Sequence, residues 1–273
     1  MNVPSPTPGA RAVVTGASSG IGRALACGLA ARGHSLLLAA RRKDVLEDLA
    51  AELRDRHGVE VDVRPCNLAD RSERARLRDE LADRQVSVLC NNAGFTTCGP
   101  LRNADPAREA DELEVNAVAV HELTLAVLPG MLARGAGAIL VTGSNAGAQP
   151  VPTAATYAAT KAFANALAEA LHVELRGTGV SCTLLAPGPV LTEFAAVGGV
   201  GHMEHKRWIA WTNVEQVAEE ALDGLERGRR VVTPGAAAKW QAIAGRYTPR
   251  AVLFPLLHTV VMPMLRSGGR RLS

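Results

Sequence analysis

A chain of 273 residues, 47% of them apolar, is long enough for one full-sized domain with a substantial core. Only 3% of the residues are aromatic, so Ala, Val and Leu carry the apolar fraction, which suits helices packed on a parallel sheet. Thirty Lys and Arg against 27 Asp and Glu leave a net charge of +3. With no basic stripe and no interleaved aromatics, this excludes a nucleic-acid footprint.

Residues 1–9 are proline-rich, lack the apolar core of a signal peptide and read as a loose tail. From residue 10 short apolar runs alternate with helical stretches. The run Ala12–Val14 precedes a helix over Gly22–Arg32, and Leu36–Ala39 precedes the amphipathic helix Lys43–His57. A strand over Val59–Val63, a helix over Arg71–Arg84 and a strand over Val86–Cys90 follow. Next come a long helix within Pro106–Arg134, a strand over Ala138–Val141, a helix over Ala154–Arg176 and a strand over Val180–Leu185. A helix over Val214–Arg227 and a strand over Arg230–Val232 close the series. Strands alternating with helices predict βαβ units, a parallel sheet and, with right-handed crossovers, a doubly wound α/β domain over residues 10–235. Five scattered cysteines (Cys27, Cys66, Cys90, Cys98, Cys182) show no metal-ligand spacing and read as reduced thiols of a cytoplasmic protein.

The first strand runs into Thr15-Gly16-Ala17-Ser18-Ser19-Gly20-Ile21-Gly22. Glycines there permit a tight turn and close backbone approach to a pyrophosphate, and the helix that follows turns its positive end toward it. Gly16, Ser18, Ser19, Gly20, Ile21 and Gly22 are therefore candidate dinucleotide contacts. The second strand ends Ala39-Ala40-Arg41-Arg42. An NAD site usually carries a carboxylate where Ala40 stands. Two guanidinium groups, Arg41 and Arg42, suit a 2′-phosphate and favour NADP over NAD.

Tyr157 and Lys161 lie four residues apart in a helical stretch otherwise rich in alanine, so phenol and ammonium share one face. An ammonium about 4 Å from a phenolate attracts it by at most roughly 4 kcal/mol at an effective dielectric of about 20, burial pushing the other way, and the expectation is a tyrosine pKa lowered toward neutrality by part of that amount. Ser144 follows the apolar run 138–143, at the carboxyl end of a strand, where open α/β sheets place their ligands. Asn116 sits within Glu114-Val115-Asn116-Ala117, a poor helix position for asparagine.

The glycine-rich turn, Asn91-Asn92-Ala93-Gly94, Asn116, Ser144, Tyr157-x-x-x-Lys161 and Pro187-Gly188, taken in this order, resemble the short-chain dehydrogenase/reductase family. The resemblance implies a seven-stranded Rossmann sheet with helices on both faces in a single domain. It also implies a nicotinamide-dependent oxidoreductase that interconverts an alcohol and a carbonyl. By the same resemblance Tyr157 donates the proton, Lys161 holds the ribose, Ser144 binds the substrate oxygen and Asn116 holds a water. Asn92, Ala93 and Gly94 line the adenosine side, and Pro187, Gly188, Val190 and Thr192 hold the nicotinamide. Asn67 and Leu68 fall beside the adenine, with Asn67 where the family usually has aspartate. A mobile lid is implied near 198–211, and assembly into homodimers or homotetramers through the two long helices.

The substrate readings are a free ketone or aldehyde, a 3-ketoacyl thioester, and, from a different class, no substrate at all in a cofactor-sensing protein. His202-x-x-His205 has no supporting carboxylate or cysteine cluster, so no metal is expected. Residues 236–273 read as helical pieces broken near Pro249, Pro255 and Pro263 that fold back on the domain. Their apolar run is too short and interrupted to span a bilayer, and a membrane-surface anchor is the less favoured alternative.

Overall fold

The computed structural model describes residues 3–190 and 211–261, the side chains of 260 and 261 excepted. Seven parallel strands form one sheet in the order β3-β2-β1-β4-β5-β6-β7. They are β1 (Arg11–Thr15), β2 (Leu36–Ala40), β3 (Val61–Pro65), β4 (Val86–Asn91), β5 (Gly137–Thr142), β6 (Val180–Leu185) and β7 (Val231–Val232). Strands buried on both faces read as continuous apolar runs, and β2 is buried at all five positions.

Three helices cover one face: α1 (Gly20–Ala31), α2 (Lys43–His57) and the helix Val214–Glu226, α7 below. Three others cover the opposite face: α3 (Arg71–Asp83), α5 (Ala119–Arg134) and α6 (Ala155–Glu174). Alternation along each strand sorts the side chains. Leu36 and Leu38 join the first layer with Leu25, Leu49 and Leu222, and Leu37 joins the second with Leu77, Leu123 and Ala164. Each such leucine, fully buried, contributes roughly 1.5–3 kcal/mol. A short helix α4 (Pro106–Leu113) precedes α5, and α8 (Ala236–Tyr247) and α9 (Arg250–Leu256) follow β7. Ordered in this way, the helix Val214–Glu226 is α7. The three carboxylates Glu219, Asp223 and Glu226 on α7 grip Arg32 and pin α7 beside α1. Val3, in the segment preceding β1, packs against the first layer.

Three expectations need correction. The third strand starts at Val61 rather than Val59, because pairing with β2 runs Leu36↔Val61 to Ala40↔Pro65. The long helix is not uniform. At Glu114–Val118 it widens into one π turn between α4 and α5. Such turns re-aim side chains and recur at functional sites. Pro255 does not break a helix but lies inside α9. The ladder opens directly after it into a π turn at Leu257–Val261, and Thr259 Oγ1 donates to Pro255 O across 2.8 Å. Pro263 lies outside the described residues.

Taken as one run, Pro106–Arg134 is long and apolar enough to cross a bilayer by length and composition. Val120, Leu123, Val127 and Met131 are instead buried against the sheet, which makes it a core helix.

Candidate active site

Strand order reverses between β1 and β4, and the crevice beyond their carboxyl ends is where open α/β sheets bind ligands. The turn after β1 is tied to the turn after β4 by one hydroxyl. Thr15 Oγ1 accepts from the N–H groups of Asn92 (2.9 Å) and Ala93 (3.0 Å). Asn92 Nδ2 donates back to Thr15 O (3.1 Å). Gly16 has φ 67°, and a Cβ on it would stand 2.8 Å from Ala93 Cα. A Cβ on Gly22 would stand 2.2 Å from Gly16 O. Helix α1 has no side-chain cap bond and no acidic residue in its first turn. Its N–H groups and positive end therefore stay available to a phosphate. These residues fit a dinucleotide.

Arg41 and Arg42 both lie exposed after β2. Arg42 reaches back to the glycine-rich turn, donating to Ser18 O (3.2 Å) and Ser18 Oγ (3.2 Å). Asn67 Oδ1 accepts from Ala69 N (3.2 Å). The Leu68 side chain is buried in the second layer, and its carbonyl accepts from the buried Arg74 (2.7 Å).

The catalytic candidates converge on the turn after β5 and the start of α6. Ser144 caps a 3-10 turn, Asn145–Ala148, and its Oγ accepts from Ala146 N (3.1 Å). The same hydroxyl hydrogen-bonds Tyr157. Lys161, 3% exposed, places Nζ 5.9 Å from the centroid of the Tyr157 ring. Asn116, fully buried on the π turn, holds the backbone of Phe95 with both ends of its amide. Its Oδ1 accepts from Phe95 N (3.1 Å), and its Nδ2 donates to Phe95 O (2.8 Å). Nδ2 also donates to Thr160 Oγ1 on α6 (3.2 Å). Gly94 fills the remaining gap: a Cβ there would meet Asn116 Oδ1 at 3.0 Å and Lys161 Nζ at 3.3 Å.

The expected lowering of the tyrosine pKa is not found, because burial by the surrounding groups acts in the opposite direction. Tyr157 is half-buried, and burial pushes its phenol up to about 12. The Ser144 hydrogen bond pulls the other way, and the Glu112 carboxylate and Cys98 add to the rise. Burial also pushes Lys161 down to about 8, against the attraction of Glu112. Desolvation disfavours the charged form of both partners at once, which an argument from their mutual attraction underweights. At neutral pH the phenol is protonated and positioned as a donor.

Two residues join the site that sequence reasoning passed over. Asn165 clamps the backbone of Ser144: its Oδ1 accepts from Ser144 N (3.2 Å) and its Nδ2 donates to Ser144 O (2.9 Å). The signal was present, since Tyr157, Lys161 and Asn165 recur every four residues on one stripe. Glu112 is fully buried on α4, and its carboxylate accepts from Thr97 N (2.8 Å) and Thr97 Oγ1 (2.6 Å). Burial pushes its pKa up. Nothing in the charged string 106–113 marks which acid turns inward.

On the far side, Pro187 O accepts from Asn145 N (3.1 Å), and Val190 bridges to Thr212. Thr192, the lid region up to 210, His202 and His205 lie outside the described residues. Helix α8 closes over this corner. Asn145 Nδ2 donates to Ala238 O (2.8 Å), and a Cβ on Gly188 would meet Ala238 Cβ at 2.9 Å.

A doubly wound sheet, a dinucleotide turn and a Ser-Tyr-Lys cluster at the switch point define a Rossmann-type oxidoreductase. The profile of the short chain dehydrogenase family matches residues 10–198, and the chain belongs to that family. It is 36% identical over 194 residues to a very-long-chain 3-oxoacyl-CoA reductase of Anas platyrhynchos, covering 69% of this chain and 62% of that one. The chain thus spans less than two thirds of that relative. A short-chain dehydrogenase from Sphingobium yanoikuyae in complex with NADPH superposes with a TM-score of 0.79 at 31% identity, covering 92% of this chain and 96% of that one. A short chain dehydrogenase/reductase from Burkholderia phymatum in complex with NAD gives 0.77 at 26% identity, covering 86% and 92%.

Proposed function

We propose that this oxidoreductase uses NADP(H) to interconvert a ketone or aldehyde and its alcohol, with Tyr157 as the proton donor. The observation that carries the reading is the Ser144–Tyr157 hydrogen bond beside the buried Lys161. The bound nicotinamide supplies the hydride. Ser144 and Tyr157 orient the substrate oxygen, and their O–H groups stabilise the negative charge that develops on it. Tyr157 then gives up its proton, and Lys161 serves the ribose and steadies the phenolate as it forms. Asn116 keeps a second lone pair on Oδ1 for a water that resupplies the proton. Arg42, held against Ser18, and Arg41 beside it form the phosphate clamp that favours NADP over NAD.

A second reading, reduction of 3-ketoacyl thioesters, draws on the identity with the 3-oxoacyl-CoA reductase. The carbonyl chemistry is the same, and the readings differ only in what enters beneath α8. We further propose a cytoplasmic homodimer or homotetramer. Cys27, Cys66, Cys90, Cys98 and Cys182 are all free thiols, and α5 and α6 expose Leu125, Leu132, Phe163 and Val173. A panel of ketones, aldehydes and 3-ketoacyl thioesters, followed by NADPH absorbance, tests the function. Turnover confined to thioesters selects the second reading. Tight NADPH binding with no turnover on any member of the panel makes the protein a cofactor sensor.

A further inference from the structure

We propose that the outer face of α8 and α9 docks on an anionic lipid bilayer. Trp240, Ile243 and Tyr247 follow one another at spacings of three and four, so they share one face of α8. They are 73%, 50% and 72% exposed. Ala238 and Gly245, on the opposite side of the helix, are the buried positions that meet the body of the domain. Helix α9 continues the pattern with Val252, Phe254 and Leu256 exposed and Leu253 buried. An amphipathic helix that hides its small residues and shows its aromatic ones has its apolar face prepared for a partner. Trp and Tyr with one polar atom each suit the level of lipid head groups.

Charge selects the partner. Residues 236–261 carry Lys239, Arg246 and Arg250 and contain no Asp or Glu, whereas residues 1–235 are net −3. The segment that bears the exposed aromatics is thus the basic one. A second copy of the chain would oppose like with like across a two-fold axis. An anionic leaflet attracts this segment and repels the rest of the domain, which sets a single docking orientation. Because α8 also rests on Asn145 and Gly188, docking brings the mouth of the site to the lipid. That last clause rests on the functional reading; the docking does not.

The test is co-sedimentation of the full chain with vesicles of equal parts phosphatidylcholine and phosphatidylglycerol, against vesicles of phosphatidylcholine alone. Binding should be at least about tenfold stronger to the anionic vesicles and should fall with added salt. Trp240→Ser with Tyr247→Ser, and separately Lys239→Gln with Arg250→Gln, should each weaken it by about tenfold or more, with the melting temperature unchanged. Arg246 is left intact because it also meets Glu169 (3.3 Å). Equal binding to both vesicle types, or binding to neither, overturns the proposal. So does a serine double variant that melts well below the parent, which would place this face inside the protein. A serine double variant that is smaller in solution but still binds the vesicles assigns the face to a second copy and overturns it too.

Discussion

The Nζ of Lys161 donates to the carbonyl oxygen of Thr142 across 2.8 Å, so the ammonium is anchored to the end of β5. Burial nonetheless pushes it down to about 8, whereas lysine in an unfolded chain titrates near 10.4. Between those values the unfolded chain holds more protons than the folded one, so stability rises with pH across that window. The full gain is on the order of 3 kcal/mol. Denaturant midpoints at about pH 7.5 and about pH 10, for wild type and Lys161→Met, isolate it, because the variant should lack the rise. The window stops there because Tyr157 acts oppositely. Its raised value stabilises the fold below about pH 10, and that contribution fades toward 12. Equal slopes for the two proteins would refute the assignment.

Removing the phenolic hydroxyl tests the proposed proton donor. Tyr157→Phe should lower kcat by roughly 10²–10⁴-fold, the usual weight of a positioned acid, and leave NADPH affinity within about twofold. Lys161→Ala should damage both quantities. Steady-state kinetics with a separate cofactor titration distinguish them. A Tyr157→Phe protein with most of its turnover would end the role given to the phenol.

The proposed preference for NADP rests on two exposed guanidinium groups, Arg41 and Arg42. Arg41→Ala and Arg42→Ala should each weaken NADPH binding by about 1.5–3 kcal/mol and leave NADH nearly unchanged. Arg42→Ala also releases Ser18, so its effect should be the larger. Calorimetric titration of both cofactors reads this directly, and tighter binding of NADH by the wild type would contradict it.

The clamp on Ser144 has a measurable weight. Asn165→Ala leaves the N–H and carbonyl of Ser144 without their partner, at about 1–3 kcal/mol for each group that finds no water. Urea denaturation should show that loss. Turnover should fall with it, because the Ser144 hydroxyl is then free to turn from Tyr157. An unchanged midpoint would show that the clamp is dispensable.

Assembly is checked on the outward faces of α5 and α6. Phe163 is 41% and Leu125 54% exposed. Light scattering at micromolar concentration should report a dimer or tetramer for the parent and a smaller species for Leu125→Glu with Phe163→Glu. A parent that is already monomeric would refute the assembly.

The α/β order was legible because strands buried on both faces are short apolar runs, and helices α2 and α7 carry their own periodicity. The glycine-rich turn was legible because its backbone needs Gly16 and Gly22 for steric reasons visible in the residue type. Tertiary consequences were not. Arg74 reads as one of many charges on α3 yet is 1% exposed, held by Glu114 (2.6 Å), Glu122 (3.0 Å) and Leu68 O. Glu112 and Asn116 both turn inward, one just before the π turn and one on it, an irregularity that no local pattern records. The direction of the Tyr157 shift depended on how deeply its surroundings exclude water, a property of the packed domain rather than of a four-residue spacing.

The bond from Asn145 to the carbonyl of Ala238 makes α8 something other than a flap. Asn145 is the chain neighbour of Ser144, so the helix is latched to the turn that presents the Ser144 hydroxyl. A displacement of α8 that broke this bond would strip Asn145 Nδ2 of its partner, while Asn165, reaching in from α6, would still hold both backbone groups of Ser144: the turn is tied from two sides, once to the core and once to the C-terminal helix.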